Sequence, residues 1–226
     1  MRDTRTLETH FAPGLGRRPI PARSAPWARR LAHALAGLGV HPNAISLAGL
    51  GFALLGASAL GAAVTPGMAG RALGSLAAAL AIPLRLLMNL LDGMVAEERG
   101  GPSRAGELFN EVPDRIADAV LLIAAGWASL APVGRALGWI AALLALFTAY
   151  VRTLGGALGV PGLYGGPMAK PQRMAALGLG CVFAAGEALT MRPPRALVAA
   201  LAVISAGSVL TSARRLAHIA RALERR

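Results

Sequence analysis

The chain has 226 residues, of which 55% are hydrophobic and only 15% charged, yet its net charge is +12. Its apolar residues come in blocks separated by Gly, Pro and Arg clusters, which argues against a water-soluble domain and for a polytopic, all-α integral membrane protein. A nucleic-acid partner is not expected, because the arginines sit at block ends with no interleaved aromatic stripe.

Residues 1–40 form a basic amino-terminal segment. Its first 30 residues are Pro-rich and lack an apolar run of their own, so no cleaved export signal is expected. Within the segment, WARRLAHALAGLG places Trp27, Leu31, Leu35 and Leu38 on one helical face, with Arg29, Arg30 and His33 on or beside the other. This is the pattern of an amphipathic helix lying in the headgroup layer. An early start to the first spanning helix is the competing reading.

Residues 41–215 form the membrane domain, and 216–226 a basic tail. Six blocks are long enough, or nearly so, to cross a bilayer as transmembrane helices: 44–64, 72–91, 115–132, 136–158, 174–190 and 196–213. The third and fifth are short and Gly/Ala-rich, and read equally as buried helices. With both termini inside, the inner segments hold 18 basic residues against 4 outside (Arg71, Arg135, Arg192, Arg195), with Arg85 inside a helix. That asymmetry sets the expected orientation, termini in the cytoplasm, and puts the polar stretch 89–118 on the cytoplasmic side. A bacterial cytoplasmic membrane is the expected location. Cys181 stands alone in an apolar block, so it offers no disulfide or thiolate site and reads as packing.

The segment NLLDGMVAEERGGPSRAGELFNEVPDRIAD carries the chemistry. On a helix, Arg85, Asn89, Asp92, Gly93 and Ala96 fall within about 100° of one another. A second set, Gly106, Asn110, Asp114 and Asp118, is spaced by four and forms a ridge. Pro113 interrupts or starts that helix and leaves the Phe109 carbonyl without its donor. If the two helices bring Asn89, Asp92, Asn110 and Asp114 together, the ligands are all oxygens, as Mg²⁺ or Mn²⁺ prefers. His10, His33, His41 and His218 lie outside the cluster, which argues against zinc. A metal–carboxylate site at a membrane surface suits a phosphate-bearing, lipid-linked substrate.

These residues resemble the signature of the CDP-alcohol phosphatidyltransferases, D-x2-D-G-x2-A-R-x8-G-x3-D-x3-D. The chain reads N-x2-D-G-x2-A-E-x8-G-x3-N-x3-D, from Asn89 to Asp114, with every interval kept. HPNAISLAGL at 41–50 is similar to the family's approach to its first spanning helix, and YGGPMAKPQR at 164–173 to the basic loop before its fifth. The likeness covers roughly residues 27–215.

The resemblance implies a six-helix membrane fold, a homodimer and a cavity open to the cytoplasmic leaflet. It also implies transfer of a phosphatidyl or related phosphoalcohol group from a CDP-linked lipid donor to a small alcohol, with release of CMP. By resemblance, Asn89, Asp92, Asn110 and Asp114 occupy the positions that hold two divalent ions, and Asp114 is the base. Gly93 and Ala96 make room for the cytidine end, with Glu97 and Gly106 completing the motif.

The departures are Asn89, Asn110 and Glu97. The amides leave four ligands with a combined charge of about −2 where the signature has −4. Glu97, Glu111 and Asp118 are expected auxiliary acids that restore the balance, with one ion held firmly and the second only with nucleotide. Arg85 is expected to contact a phosphate, neutralise Asp92 or snorkel, and Lys170 and Arg173 to meet a substrate phosphate or merely set orientation. A slipped register that uses Asp114 and Asp118 as the last two acids is the alternative alignment. Two other functions compete: a family member that binds nucleotide or lipid without turnover, and a small ion or proton transporter using Asp92, Asp114 and Asp118.

Overall fold

The computed structural model describes residues 21–65, 67–101 and 105–225. The expectations for residues 1–20 lie outside the described residues. After a 3-10 turn, Pro21–Ser24, come seven helices: α1 (Pro26–Gly37), α2 (Pro42–Ala62), α3 (Met68–Glu98), α4 (Gly106–Ala128), α5 (Pro132–Ala157), α6 (Lys170–Leu189) and α7 (Arg195–Glu224). The described residues contain no strand.

Local chemistry fixes several of the starts. Proline stands in the first turn of α1, α2, α5 and α6, where its missing N–H costs nothing and its fixed φ suits the helix. At α2 the His41 ring also accepts a hydrogen bond from the Asn43 N–H at 3.2 Å. Gly39, with φ +75°, turns the chain between α1 and α2. The two are therefore separate helices, and the reading of α1 as an early part of the first span is corrected. On α1, Ala28 and Ala32 join Leu90, Leu91, Met94 and Val95 of α3 in one buried cluster, whereas Trp27, Leu31 and Leu38 remain exposed.

The helices close into a ring. α2 packs on α3 and α4, α3 on α6, α6 on α7, α7 on α5, and α5 back on α4. One end of the ring gathers the starts of α2, α4 and α6 and the ends of α3 and α5, whose residues line a common cavity. Its interior is a continuous Ala/Leu core, and its outer faces expose large apolar side chains such as Leu55, Leu80, Leu143, Phe183 and Val203.

Four helices, α2, α3, α5 and α7, are long and apolar enough to cross a membrane. α4 and α6 are long enough, at 23 and 20 residues, but carry Asp114, Arg115 and Asp118, and Lys170, Arg173 and Glu187, respectively. They are the helices of the two blocks that looked weakest in the sequence.

Glycines set the closest approach, between α4 and α5. A Cβ at Gly138 would stand 2.9 Å from the Gly126 Cα and from the Leu122 carbonyl oxygen. Both are backbone atoms that cannot swing aside. Gly138→Leu is therefore expected to destabilise the fold by about 1–3 kcal/mol or more, read as a lower unfolding temperature in detergent. Gly51→Leu, at an open position, serves as the control and is expected to leave that temperature nearly unchanged.

Candidate active site

The end of α3 and the start of α4 border a cavity of about 1400 Å³ at the end of the ring described above. Asn89, Asp92, Gly93 and Ala96 from α3 line it, as do Gly106, Asn110, Glu111 and Asp114 from α4. Opposite them stand Thr148 and Arg152 of α5, Tyr164 of the following loop, Lys170 and Arg173 of α6, and Arg215 of α7. The motif residues, separated by a turn in sequence, thus meet across one space.

Asp92 is buried and held from two sides. The Ser46 hydroxyl donates to Oδ2 at 2.7 Å, and the Gly93 N–H donates to Oδ1 at 2.6 Å. Ser46 is the serine of the PNAIS run, so that run supplies the hydrogen bond that orients the acid. Asp114 and Lys170 line the same cavity as Asp92.

Asp114 is the most heavily engaged group. Asn89 donates its amide N–H to Oδ1 at 2.6 Å, Lys170 donates its ammonium to Oδ2, and Arg85 Nη2 reaches Oδ1 at 3.4 Å. Arg115 Nη2 stands 3.7 Å from Oδ2. Despite this, Asp114 lines the cavity and keeps an edge open to it.

Asp118 stands behind this layer and outside the cavity lining. Its Oδ1 accepts from Arg85 Nη2 and its Oδ2 from Arg173 Nη2, both at 2.5 Å, and all three residues are at most 2% exposed. Asp118 is therefore tied into a buried ion cluster, away from the cavity lining where Asp92 and Asp114 stand. The slipped register would need Asp118 in the cavity, whose described lining holds Asn110 and Asp114 instead. Arg85 neither snorkels nor pairs with Asp92: it is fully buried, with Nη1 against the Met174 sulfur at 3.0 Å. Arg173 lies in the same buried cluster, 3.5 Å from the Thr148 hydroxyl, so a purely orienting role is corrected.

The other expected auxiliary acids are paired as well. Glu111 meets Arg152 at 2.6 Å and Arg115 at 3.4 Å, and Glu97 lies 3.8 Å from Arg23. Arg152 also stacks over the Tyr164 ring at 5.7 Å. Arg215 ties α7 to α5 and the loop through the carbonyls of Thr148 at 2.7 Å and Gly165 at 3.1 Å. Arg99 donates to the Gly39 and Val40 carbonyls at 2.9 and 3.2 Å.

The charges decide what the cavity prefers. Its described lining includes Arg23, Arg99, Arg115, Arg152, Lys170, Arg173 and Arg215 against the carboxylates Asp92, Glu111 and Asp114. An anion is favoured there, and a diphosphate with its several oxygens can engage several guanidinium groups at once.

The same balance limits the metal. Among the described residues no group of three or more His, Cys, Asp or Glu is close enough to hold an ion. Asp92, Asp114 and Asn110 line the cavity with hard oxygen donors that suit a divalent cation, while Asn89 presents its N–H to Asp114. With Lys170 already on that carboxylate, two ions are harder to hold together than one.

No family model matches the chain, and no curated protein matches its sequence. Solved structures of Mycobacterium tuberculosis phosphatidylinositol phosphate synthase do match its fold. The form with CDP-DAG bound aligns at TM-score 0.67 and 23% identity, covering 86% of this chain and 94% of that one. The complex with manganese and citrate aligns at TM-score 0.69 and 24% identity, covering 85% and 88%. The apo form aligns at TM-score 0.65 and 24% identity, covering 84% and 94%. At these identities the likeness establishes the fold.

Proposed function

We propose that this chain is a membrane phosphotransferase of the CDP-alcohol phosphatidyltransferase type. It moves a phosphatidyl group from CDP-diacylglycerol to the hydroxyl of a small alcohol, in phospholipid synthesis. The observation that carries this reading is the meeting of Asp92 and Asp114, at the signature's spacing, in one cation-rich cavity of a fold shared with a synthase solved with CDP-DAG. In this reading all six long helices α2 to α7 span a bacterial cytoplasmic membrane, with α4 and α6 turning their charges inward. The exposed Trp27, Leu31 and Leu38 of α1 rest in the headgroup layer. In this reading the cavity end, with its excess of arginine and lysine, faces the cytoplasm. A homodimer is the assembly the family resemblance implies.

The chain's own residues account for the chemistry. Lys170 and the cavity's arginines neutralise the donor's diphosphate, which makes its phosphorus open to attack. The acceptor oxygen forms a bond to the lipid-bearing β-phosphorus as the anhydride bond to the α-phosphate breaks, and CMP leaves with that electron pair. Asp114 takes the hydroxyl proton. Ser46 and the Gly93 N–H hold Asp92 toward the cavity. One Mg²⁺ or Mn²⁺ would be held by Asp92 and Asp114 with the Asn110 amide oxygen, Asn89 supporting Asp114 through its N–H, and would add charge neutralisation on the diphosphate.

The test is to incubate the purified protein with CDP-diacylglycerol, Mg²⁺ or Mn²⁺ and pooled polar alcohols, and to measure CMP. CMP that forms only when an alcohol is present supports the reading. One observation favours a chain that binds nucleotide without turnover: both oxygens of Asp114 already accept hydrogen bonds. Nucleotide binding with no CMP from any alcohol would select it.

The ligand charges give a second expectation. In nucleotide-free protein, Mn²⁺ titration followed by electron paramagnetic resonance is expected to find at most one firm site. Asn89→Asp with Asn110→Asp is expected to add a second ion and tighten Mn²⁺ by about tenfold or more. Two firm sites in the unaltered chain would contradict the charge argument.

A further inference from the structure

The amino-terminal turn brings Arg23 back onto α3. A Cβ added at Gly93 would stand 3.1 Å from Arg23 Nη2, so the space that glycine leaves is covered by a guanidinium group. One turn further along α3, Glu97 Oε1 lies 3.8 Å from Arg23 Nη1. Arg23 lines the cavity with about a quarter of its side chain exposed (26%), and its Nε is buried with no hydrogen-bond partner. The turn is anchored by α1, whose Ala28 and Ala32 pack into the α3 cluster of Leu90, Leu91, Met94 and Val95. A carboxylate at 97, alone, would repel a phosphate at this wall. Paired with Arg23, it instead orients a cation with donors to spare.

We propose that Arg23 binds an anionic oxygen of the cytidine diphosphate donor, and that Glu97 is the positioning residue that holds its guanidinium over Gly93. The positive charge that the signature carries on α3, one turn after the aspartate–glycine pair, is delivered in this chain by the amino-terminal turn. Donor binding therefore depends on that turn being docked. This inference rests on the proposed donor class.

Calorimetric titration of the full-length protein in detergent with CDP and with uncharged cytidine, in Mg²⁺ buffer, tests it. Arg23→Ala is expected to weaken CDP by about tenfold or more while leaving cytidine within about twofold, because the charge-assisted bond that is lost is to the anion. Arg23→Glu is expected to weaken CDP further. Exchanging the pair, Arg23→Glu with Glu97→Arg, is expected to restore CDP to within about threefold of the unaltered protein.

Equal CDP affinity in Arg23→Ala, or an exchange variant no better than Arg23→Glu at an unchanged unfolding temperature, overturns the proposal and leaves the donor class standing. Equal weakening of CDP and cytidine also overturns it, because that is the mark of a structural role. An unaltered protein that binds no cytidine nucleotide sinks the donor class, and this proposal with it.

Discussion

Asp114→Asn is expected to lower the rate of CMP release by about 10²–10⁴-fold, the usual range for losing a general base, while the KM for the donor changes little. Asparagine keeps the shape of aspartate, and its oxygen can still accept the bond that Asn89 or Lys170 gives. What it lacks is the capacity to take a proton and one of the two charges that would hold the ion, so the rate is compared at saturating Mg²⁺. The fold should tolerate the change, because the cation left with a neutral partner is Lys170, which is partly exposed, while Arg85 keeps its 2.5 Å bond to Asp118. A turnover within about threefold of the unaltered enzyme would remove Asp114 from the role of base, since that is too small a loss for a base.

Asp118→Ala is expected to fail differently. Arg85 and Arg173 are both fully buried, and each spends its shortest bond on one Asp118 oxygen. Removing the carboxylate leaves two guanidinium groups in the core of the ring without their main counter-charge. Breaking a buried ion pair in this way costs about 3–5 kcal/mol. The readout is the unfolding temperature in detergent, which should fall for Asp118→Ala far more than for Asp114→Asn. Replacing Arg85, Asp118 and Arg173 together by leucine should recover most of the loss, because apolar residues of similar volume satisfy such a site. An Asp118→Ala protein as stable as the unaltered one would show that this cluster does not hold α3, α4 and α6 together.

The contrast between these two aspartates marks where the sequence stops being informative. Both lie on one ridge of α4, four residues apart, and helical periodicity puts them on the same face. Periodicity does not say that Asp114 reaches the cavity while Asp118 lies one layer deeper, because that depends on Arg85 and Arg173 arriving from other helices, 33 and 55 residues away in the chain. Glu97 and Glu111 escaped for the same reason: their arginines come from the amino-terminal turn and from α5. Asp92 was more legible. Its motif spacing marked it, and the serine that orients it sat in a run already singled out at the start of α2. The helices themselves followed from apolar blocks separated by Gly, Pro and Arg clusters. The two short, Gly/Ala-rich blocks became α4 and α6, which carry Asp114, Asp118, Lys170 and Arg173 of the polar cluster.

Photolabelling tests the central claim, that Asp92 and Asp114 border the pocket for a CDP-linked lipid. The full chain in nanodiscs is crosslinked to CDP-diacylglycerol carrying a photoreactive cytosine, and the attachment points are mapped by mass spectrometry. The account predicts label in the Pro21–Ser24 turn, the end of α3 or the start of α4, displaced by excess CDP and reduced in Asp92→Ala. Label spread over the outer faces of α5 and α7, indifferent to CDP and to Asp92, would contradict it.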